Sequence, residues 1–119
     1  MPKGRGQTPL PGRPSKSSRS GRPIMATLDL LGRRWTLRIL WELRDGAIGF
    51  RDLQARCENM SPSVLSTRLG ELHTALVIDT DEDRRWGLTP HGENLIKALK
   101  PLSKWSQDWQ ALVEKSETS

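Results

Sequence analysis

Residues 50–77, FRDLQARCENMSPSVLSTRLGELHTALV, contain the pattern that decides the fold. Apolar residues at helical spacing predict a short helix over 50–57. After a turn, Ser61 is a good N-cap and Pro62 suits the first helical position, so a second helix is predicted over about 61–73. Two short helices across a tight turn are typical of a helix-turn-helix motif, with the second as the recognition helix.

A β-hairpin is predicted directly after this motif. Apolar residues at 76–78 predict one strand, an acidic polar turn follows at 79–83, and residues 84–88 predict the returning strand. Residues 47–48 can add a very short strand. A hairpin placed after a recognition helix is a wing, here about 76–88.

Helices are also predicted on both sides of this central part. Apolar spacing favours helices over 24–32 and 33–45, and Thr89 followed by Pro90 predicts the start of a last helical run. Pro101 should break that run. The expected fold class is mainly α with a small β-hairpin wing, a winged helix-turn-helix.

Charge and composition divide the chain unevenly. The net charge of the 119 residues is +5, yet residues 1–23 contain six basic residues and no acidic one, so the rest carries −1. Low apolar content predicts a disordered basic arm over 1–23. We expect the folded domain over 24–115 and a short tail over 116–119. The arm residues proposed to contact DNA phosphates are Lys3, Arg5, Arg13, Lys16, Arg19 and Arg22. The alternative is a solvated tail with no specific role.

Several classes of protein are not expected. The sequence has no apolar run long enough to span a membrane and no secretory signal pattern, which favours the cytoplasm and its nucleoid. Cys57 is the single cysteine, so we interpret it as an apolar filler, with a redox role as the alternative. His73 and His91 lack metal-ligand spacing. We expect no metal, no cofactor and no enzymatic activity, because no catalytic constellation is recognisable.

Candidate base-reading residues come from the recognition helix. Small hydroxyl side chains allow close approach to DNA, and an arginine can donate two hydrogen bonds to guanine. The candidates are Ser61, Ser63, Ser66, Thr67 and Arg68. Ser61 has an alternative role as a helix cap, and Arg68 can instead pair with Glu71 or Asp52.

Three further arginines are candidates for phosphate contacts. Arg51 lies at the start of the first helix of the motif, and Arg84 and Arg85 lie in the wing. Because strand side chains alternate, one wing arginine should face DNA and the other should point back. The alternatives are a solvated charge for Arg51 and neutralisation of the acidic turn for the wing pair.

Three strings in this order resemble the HxlR-type winged helix regulators of bacteria, which share their architecture with MarR-type regulators. They are LLGRRWTLRILWELRDG at 30–46, the string at 50–77, and LTPHGENLIKAL at 88–99. The resemblance implies a homodimer built from the first and last helices, with two recognition helices in successive major grooves of double-stranded DNA. The implied interface residues are Ile24, Leu28, Leu31, Leu102, Trp105, Trp109 and Leu112.

The chain departs from this family at three places. Arg22-Pro23 stands where many relatives have Cys-Pro, so thiol sensing at that position is not available. Ala75 follows the recognition helix where the family usually has glycine. The wing is shorter than usual, which puts its contacts with the minor groove in doubt.

Three functions remain open from the sequence. The first is a sequence-specific transcriptional regulator, which the helix-turn-helix pattern favours. The second is an architectural, nucleoid-associated protein, which the basic arm favours. The third is a winged-helix protein-interaction module, which the acidic wing turn favours. A small-molecule effector is unknown, and Trp41 is compatible with either a dimer interface or a ligand pocket.

Overall fold

A computed structural model describes residues 8–12 and 22–118. The described chain forms six helices and one antiparallel hairpin, which confirms the predicted winged helix-turn-helix class. The elements in chain order are α1 (Pro23–Leu31), α2 (Thr36–Glu42), α3 (Phe50–Arg56), α4 (Pro62–Thr74), β1 (Ile78–Thr80), β2 (Trp86–Leu88), α5 (Pro90–Leu99) and α6 (Pro101–Thr118).

The core forms where the helix-turn-helix packs against its neighbours. On α4, Leu65, Leu69 and Leu72 follow helical spacing and are essentially inaccessible to solvent. Residues from every described element except α6 join this cluster or pack against it. Its buried members are Leu30, Ile39, Leu40, Leu43, Ile48, Leu53, Cys57, Met60, Leu65, Leu69, Leu72, Val77, Ile78 and Ile96.

The helix-turn-helix follows the sequence prediction closely. Helix α3 ends one residue before the predicted limit, and α4 begins at Pro62 with Ser61 as its N-cap. The turn between them contains Glu58 and Asn59, both with left-handed backbone at φ 59° and 55°. The Gln54 side chain steadies this turn, since its Nε2 donates to the Met60 carbonyl at 2.8 Å.

Both strands of the wing start two residues later than predicted. Ile78 pairs with Leu88, Asp79 with Gly87 and Thr80 with Trp86. Leu76 is not in a strand, because it has φ 66° and its side chain is 70% exposed. The helix ends at Ala75 in a right-handed conformation, and Leu76 makes the left-handed turn that a glycine usually makes.

A third short segment completes the sheet. Ile48 and Trp86 form an isolated bridge, in which each backbone N–H donates to the other's carbonyl oxygen at 2.8 Å. The predicted short strand at 47–48 is therefore present as a single bridge. It ties the start of the helix-turn-helix to β2.

Helix α2 begins later than predicted, at Thr36 instead of 33. Gly32 ends α1, and Trp35 has a left-handed backbone at φ 76° immediately before α2. Residues 32–35 thus form a turn between α1 and α2, which we call the α1–α2 junction. A left-handed non-glycine residue costs about 1–2 kcal/mol, so other contacts must stabilise this turn.

The N-terminal segment departs from the expectation of a disordered arm over 1–23. Pro9 is buried and Leu10 is half-buried, and with Pro11 they line a cavity of about 290 Å³ whose other walls come from α1, α5 and the α4–β1 connection. The expectation is therefore wrong for residues 8–12, because two prolines and a leucine supply enough apolar surface to pack. Residues 1–7 and 13–21 lie outside the described part of the chain.

The last helices confirm the predicted break at Pro101. Helix α5 begins after Thr89, whose Oγ1 accepts from the Gly92 N–H at 3.0 Å, and it ends at Leu99. Helix α6 then runs to Thr118, so most of the predicted 116–119 tail is helical. No residue of α6 within 101–118 is buried.

Gly92 allows α5 to approach the α4–β1 connection closely. A Cβ at this position would overlap the Val77 carbonyl oxygen and come within 3.2 Å of Leu88 Cδ2. We expect Gly92→Ala to lower the free energy of unfolding by about 1–3 kcal/mol, the usual cost of overpacking. Urea denaturation followed by tryptophan fluorescence measures this change. Unchanged stability would show that α5 moves away without cost.

Candidate nucleic-acid interface

The N-terminus of α4 is fixed by its serines. Ser61 Oγ accepts from the Val64 N–H at 3.4 Å, so the predicted capping role is confirmed. Ser61 Oγ and Ser63 Oγ lie 3.0 Å apart, within hydrogen-bond distance. Both residues are exposed. The exposed serine hydroxyls at this end form a polar surface suited to a phosphate or a base edge.

One side of α4 is exposed and carries small side chains. Ser63, Ser66, Thr67, Gly70 and Thr74 follow helical spacing and are all exposed; we call them the reading face. Thr67 Oγ1 donates to the Ser63 carbonyl at 3.0 Å, which leaves its lone pairs to accept. The Ser66 hydroxyl has no hydrogen-bond partner among the described residues, so it is available both to donate and to accept.

Sequence reasoning missed Gly70. A Cβ built on this residue meets nothing within 4 Å, and its backbone is an ordinary helical one. Folding therefore gives no reason for a glycine here, although glycine weakens a helix interior by about 0.5–1 kcal/mol relative to alanine. A glycine in the middle of a capped recognition helix is a signal that points to close approach by a partner.

The structure turns Arg68 away from the reading face. Its side chain is only 19% exposed, and Nη1 lies 3.1 Å from Glu71 Oε1. Its Nε also donates to the Arg34 carbonyl at 2.8 Å. The predicted alternative, pairing with Glu71, is confirmed, and the placement of Arg68 on the exposed face is wrong. A base contact by Arg68 would require these bonds to break.

Arg51 and Arg84 extend the polar surface with free positive charge. Arg51 is exposed in the first turn of α3, and Arg84 is exposed in the turn of the wing. Neither guanidinium has an ion-pair partner within residues 8–12 and 22–118. Arg34 and Arg56 are also exposed, and Arg34 lies 5.9 Å from the centre of the Trp35 ring. The sequence analysis did not single out these last two.

Arg85 neutralises the wing turn, as the alternative prediction held. Arg85 Nε lies 3.0 Å from Asp81 Oδ2, and Nη2 lies 3.7 Å from Asp83 Oδ2. The strand-alternation argument for the two arginines is wrong, because both precede β2 and Arg84 has a left-handed backbone at φ 62°. The wing therefore offers Arg84 for a DNA contact and uses Arg85 internally.

Asp81 organises the same turn. Hydrogen bonds from the backbone N–H of Arg85, above all, and then from the N–H of Asp83 and the Arg85 side chain lower the pKa of the Asp81 carboxyl below its usual value. These bonds favour the ionised form, so the turn is held by a carboxylate at neutral pH and loses that support as the pH falls through the lowered pKa.

Apolar side chains are exposed on α1 and α6. Ile24 and Leu28 on α1 are 56% and 57% exposed. On α6 an apolar stripe consists of Leu102, Trp105, Trp109 and Leu112, which are all at least half exposed. Leu31 differs, because it is half-buried and packs against the core of its own protomer.

The single thiol and the histidines show no sign of chemistry. Cys57 is buried, and burial raises the pKa of its thiol, which favours the unreactive protonated form. His73 pairs with Asp79 at 3.4 Å and packs edge-on against Trp86. No group of three or more potential metal ligands occurs in the described ranges.

The basic arm remains a prediction. Lys3, Arg5, Arg13, Lys16 and Arg19 lie outside the described residues. Arg22 is described, and its backbone forms the N-cap of α1. Among residues 8–12 and 22–118, no helix has the length and apolar character needed to cross a membrane.

Comparison with known proteins agrees with this geometry. A family profile described as HxlR-like helix-turn-helix matches residues 30–114. The HTH-type transcriptional regulator YvaP of Bacillus subtilis is 33% identical over 88 residues, covering 69% of this chain and 82% of YvaP. The chain belongs to the HxlR-like helix-turn-helix family. HTH-type regulator MJ0925 of Methanocaldococcus jannaschii is 24% identical, and the match covers 72% of this chain and 84% of MJ0925.

Solved structures of transcriptional regulators share the fold. Quinone-bound YodB from B. subtilis superposes with a TM-score of 0.66 at 25% identity, covering 71% of this chain and 94% of YodB. A possible HxlR family transcriptional factor from Thermoplasma volcanium superposes with a TM-score of 0.63 at 25% identity, and the match covers 71% of this chain and 82% of that protein. A MarR-family regulator from Enterococcus faecalis superposes with a TM-score of 0.68 at 23% identity, and the match covers 77% of this chain and 89% of that protein. This similarity shows the common fold.

Proposed function

We propose that this HxlR-like protein is a homodimeric transcriptional regulator that binds double-stranded DNA in a sequence-specific manner. The observation that carries the proposal is the reading face, an exposed row of small and hydroxyl-bearing residues on a helix whose other side is fixed in the core. Membership in a family whose relatives carry the name of transcriptional regulators supports it. Helix α4 would lie in the major groove.

Two hydroxyls are suited to direct readout. Ser66 is free to donate or accept, whereas Thr67 already donates to the Ser63 carbonyl and is left as an acceptor. Thr67 is therefore suited to the amino groups of adenine or cytosine, which are the donors in the major groove. Ser61 and Ser63 at the start of the helix are placed to contact phosphate or the first base edge.

Positive charge for phosphate binding comes from outside α4. Arg51 and Arg84 are exposed and unpaired within the described residues, so they would be available to contact phosphates of the DNA backbone. Arg85 pairs with Asp81, and we assign it to stabilising the wing turn. Arg68 pairs with Glu71, and we assign it to positioning α4. The basic residues of the N-terminal arm would add sequence-independent affinity.

Dimerisation would bury the exposed apolar side chains of α1 and α6. A stripe of large side chains left in water along α6 indicates a partner surface. In a twofold dimer the two recognition helices would meet successive major grooves about 34–36 Å apart. Ile24, Leu28 and the apolar stripe of α6 are the residues we assign to this interface, with Leu31 behind them.

Selection of bound DNA from a random pool tests the function. At near-physiological salt, we expect an inverted repeat with half-sites about one DNA turn apart. Ser66→Ala and Thr67→Val should relax the selected sequence at one or two positions in each half-site, at about 0.5–1.5 kcal/mol for each lost hydrogen bond to a base. Thr118→Val is the matched control, because its hydroxyl also donates to its own helix but lies at the far end of α6.

The other results of this selection have distinct meanings. Binding without any enriched sequence would replace sequence-specific regulation with the architectural function. No binding would support the protein-interaction module. An enriched site that both variants leave unchanged would contradict the assignment of Ser66 and Thr67.

Gly70 gives a prediction with opposite effects on stability and binding. Gly70→Ala should raise the free energy of unfolding by about 0.5–1 kcal/mol, because alanine is the better helix former and its Cβ meets open space. The same methyl group projects from the reading face, so affinity for the selected operator should fall at least threefold. Urea denaturation and fluorescence anisotropy measure the two effects. A stabilised variant with unchanged affinity would show that DNA does not approach Gly70 closely.

The dimer is tested on α6. Trp109→Glu places a charge in the middle of the apolar stripe, where burial would be costly, and should weaken dimerisation at least tenfold. Gln107→Glu adds the same charge to another side of the same exposed helix and should leave the dimer intact. Sedimentation velocity at several concentrations distinguishes them. A wild-type monomer, or equal effects of both variants, would contradict this interface.

A further inference from the structure

Glu71 is a buried carboxylate on the flank of the recognition helix, between its core-facing leucines and the reading face. It is 5% exposed and belongs to the same helix as the core residues Leu69 and Leu72. An ionised carboxylate in such a place is costly unless it is paired and hydrogen-bonded. Its partners therefore determine why it is there.

Two arginines supply this pairing, and one of them comes from a distant part of the chain. Arg33 Nη1, in the α1–α2 junction, lies 2.6 Å from Glu71 Oε2. Arg68 Nη1 lies 3.1 Å from Oε1 and 3.2 Å from Oε2 of the same carboxylate. Both guanidinium side chains are about four-fifths buried, so the three groups are largely withdrawn from solvent.

Arg68 makes a second connection to the same junction. Its Nε donates to the Arg34 carbonyl at 2.8 Å, and the next residue, Trp35, has the left-handed φ of 76°. A left-handed tryptophan is unfavourable unless surrounding contacts hold it. The recognition helix thus holds a strained turn through a side-chain ion pair and a bond to the backbone.

This junction connects the proposed dimer helix to the proposed DNA-reading helix. Helix α1 ends at the junction and carries the exposed Ile24 and Leu28. The carboxylate of Glu71 ties the junction to the flank of α4, one helical turn from Thr67 of the reading face. A change in the junction would therefore alter how α4 sits relative to the dimer axis.

We propose that Glu71, acting through Arg33 and Arg68, is a positioning residue that fixes the separation of the two recognition helices and so sets the half-site spacing the dimer accepts. This role rests on the proposed function as a dimeric operator-binding protein. In this role Arg68 helps to orient the reading face and does not contact a base. Loss of the carboxylate charge should broaden the range of spacings without creating a new base preference.

The test compares Glu71→Gln with wild type on operators of different spacing. The probes are the selected operator and versions with one or two base pairs inserted or deleted between the half-sites. We expect wild type to prefer its own spacing at least tenfold over a two-base-pair change. In Glu71→Gln this preference should fall below threefold, with the selected half-site sequence unchanged and the dimer retained in sedimentation.

Glu42→Gln is the matched control. Glu42 accepts from Arg38 Nε at 2.9 Å within α2, and Arg38 also bonds to Arg56 and Glu58 before α4, so the same substitution removes an ion pair near the helix-turn-helix that does not contact α4 itself. The Glu42→Gln variant should have the same preference for half-site spacing as wild type. Arg33→Gln, which removes the ion pair between the junction and Glu71 but keeps the carboxylate, is the second variant if Glu71→Gln does not fold, and it should broaden spacing in the same way.

Each other result overturns the role. Equal loss of affinity at every spacing would mean that Glu71 contributes to stability only. An unchanged dependence of affinity on spacing in Glu71→Gln would contradict the positioning role. If Arg33→Gln is the variant tested, the same result in that variant would contradict it. The same broadening in Glu42→Gln would attribute the effect to general loosening. A wild-type protein with an operator but no spacing preference would overturn the dimeric mode of binding together with this role.

Discussion

Packing of α4 against the core is the constraint on which the rest of the molecule depends. Leu65, Leu69 and Leu72 are inaccessible to solvent, and neighbouring elements close around them. Because an α-helix buries one side and exposes the other, this packing leaves Ser63, Ser66, Thr67 and Gly70 facing outward. The surface proposed to bind DNA is thus a consequence of the hydrophobic pattern. In the proposed function its hydroxyls, and not charged side chains, would read the DNA sequence.

Much of this arrangement could be predicted because the signals are local. The cap at Ser61, the proline after it, and the break at Pro101 each act within one helical turn, and all are found where the sequence places them. The exposure of Ser63, Ser66 and Thr67 on the reading face also follows from helical spacing. The exposed position assigned to Arg68 was wrong because, besides its local pair with Glu71, its Nε donates to the Arg34 carbonyl, a tertiary contact 34 residues away.

Other errors have the same origin. The strands begin later than predicted because Leu76 makes a left-handed turn, a choice of backbone that hydrophobic alternation does not encode. Residues 8–12 have the composition of a disordered segment, yet Pro9 is buried where α1 and α5 leave a groove. Composition describes what a segment can bury by itself, and it cannot describe a groove formed by distant elements.

The exposed apolar side chains of helix α6 support the proposed dimer. The 18 residues of α6 include none that is buried, and pairs such as Lys104 with Asp108 stabilise an isolated helix by only about 0.2–0.5 kcal/mol each. Most helices in proteins depend on burial of an apolar face, and this one presents two tryptophans whose rings are 5.2 Å apart. A second protomer would supply that burial, and because the same contact would set the distance between two reading faces, folding of α6 and recognition of an operator would depend on one interface.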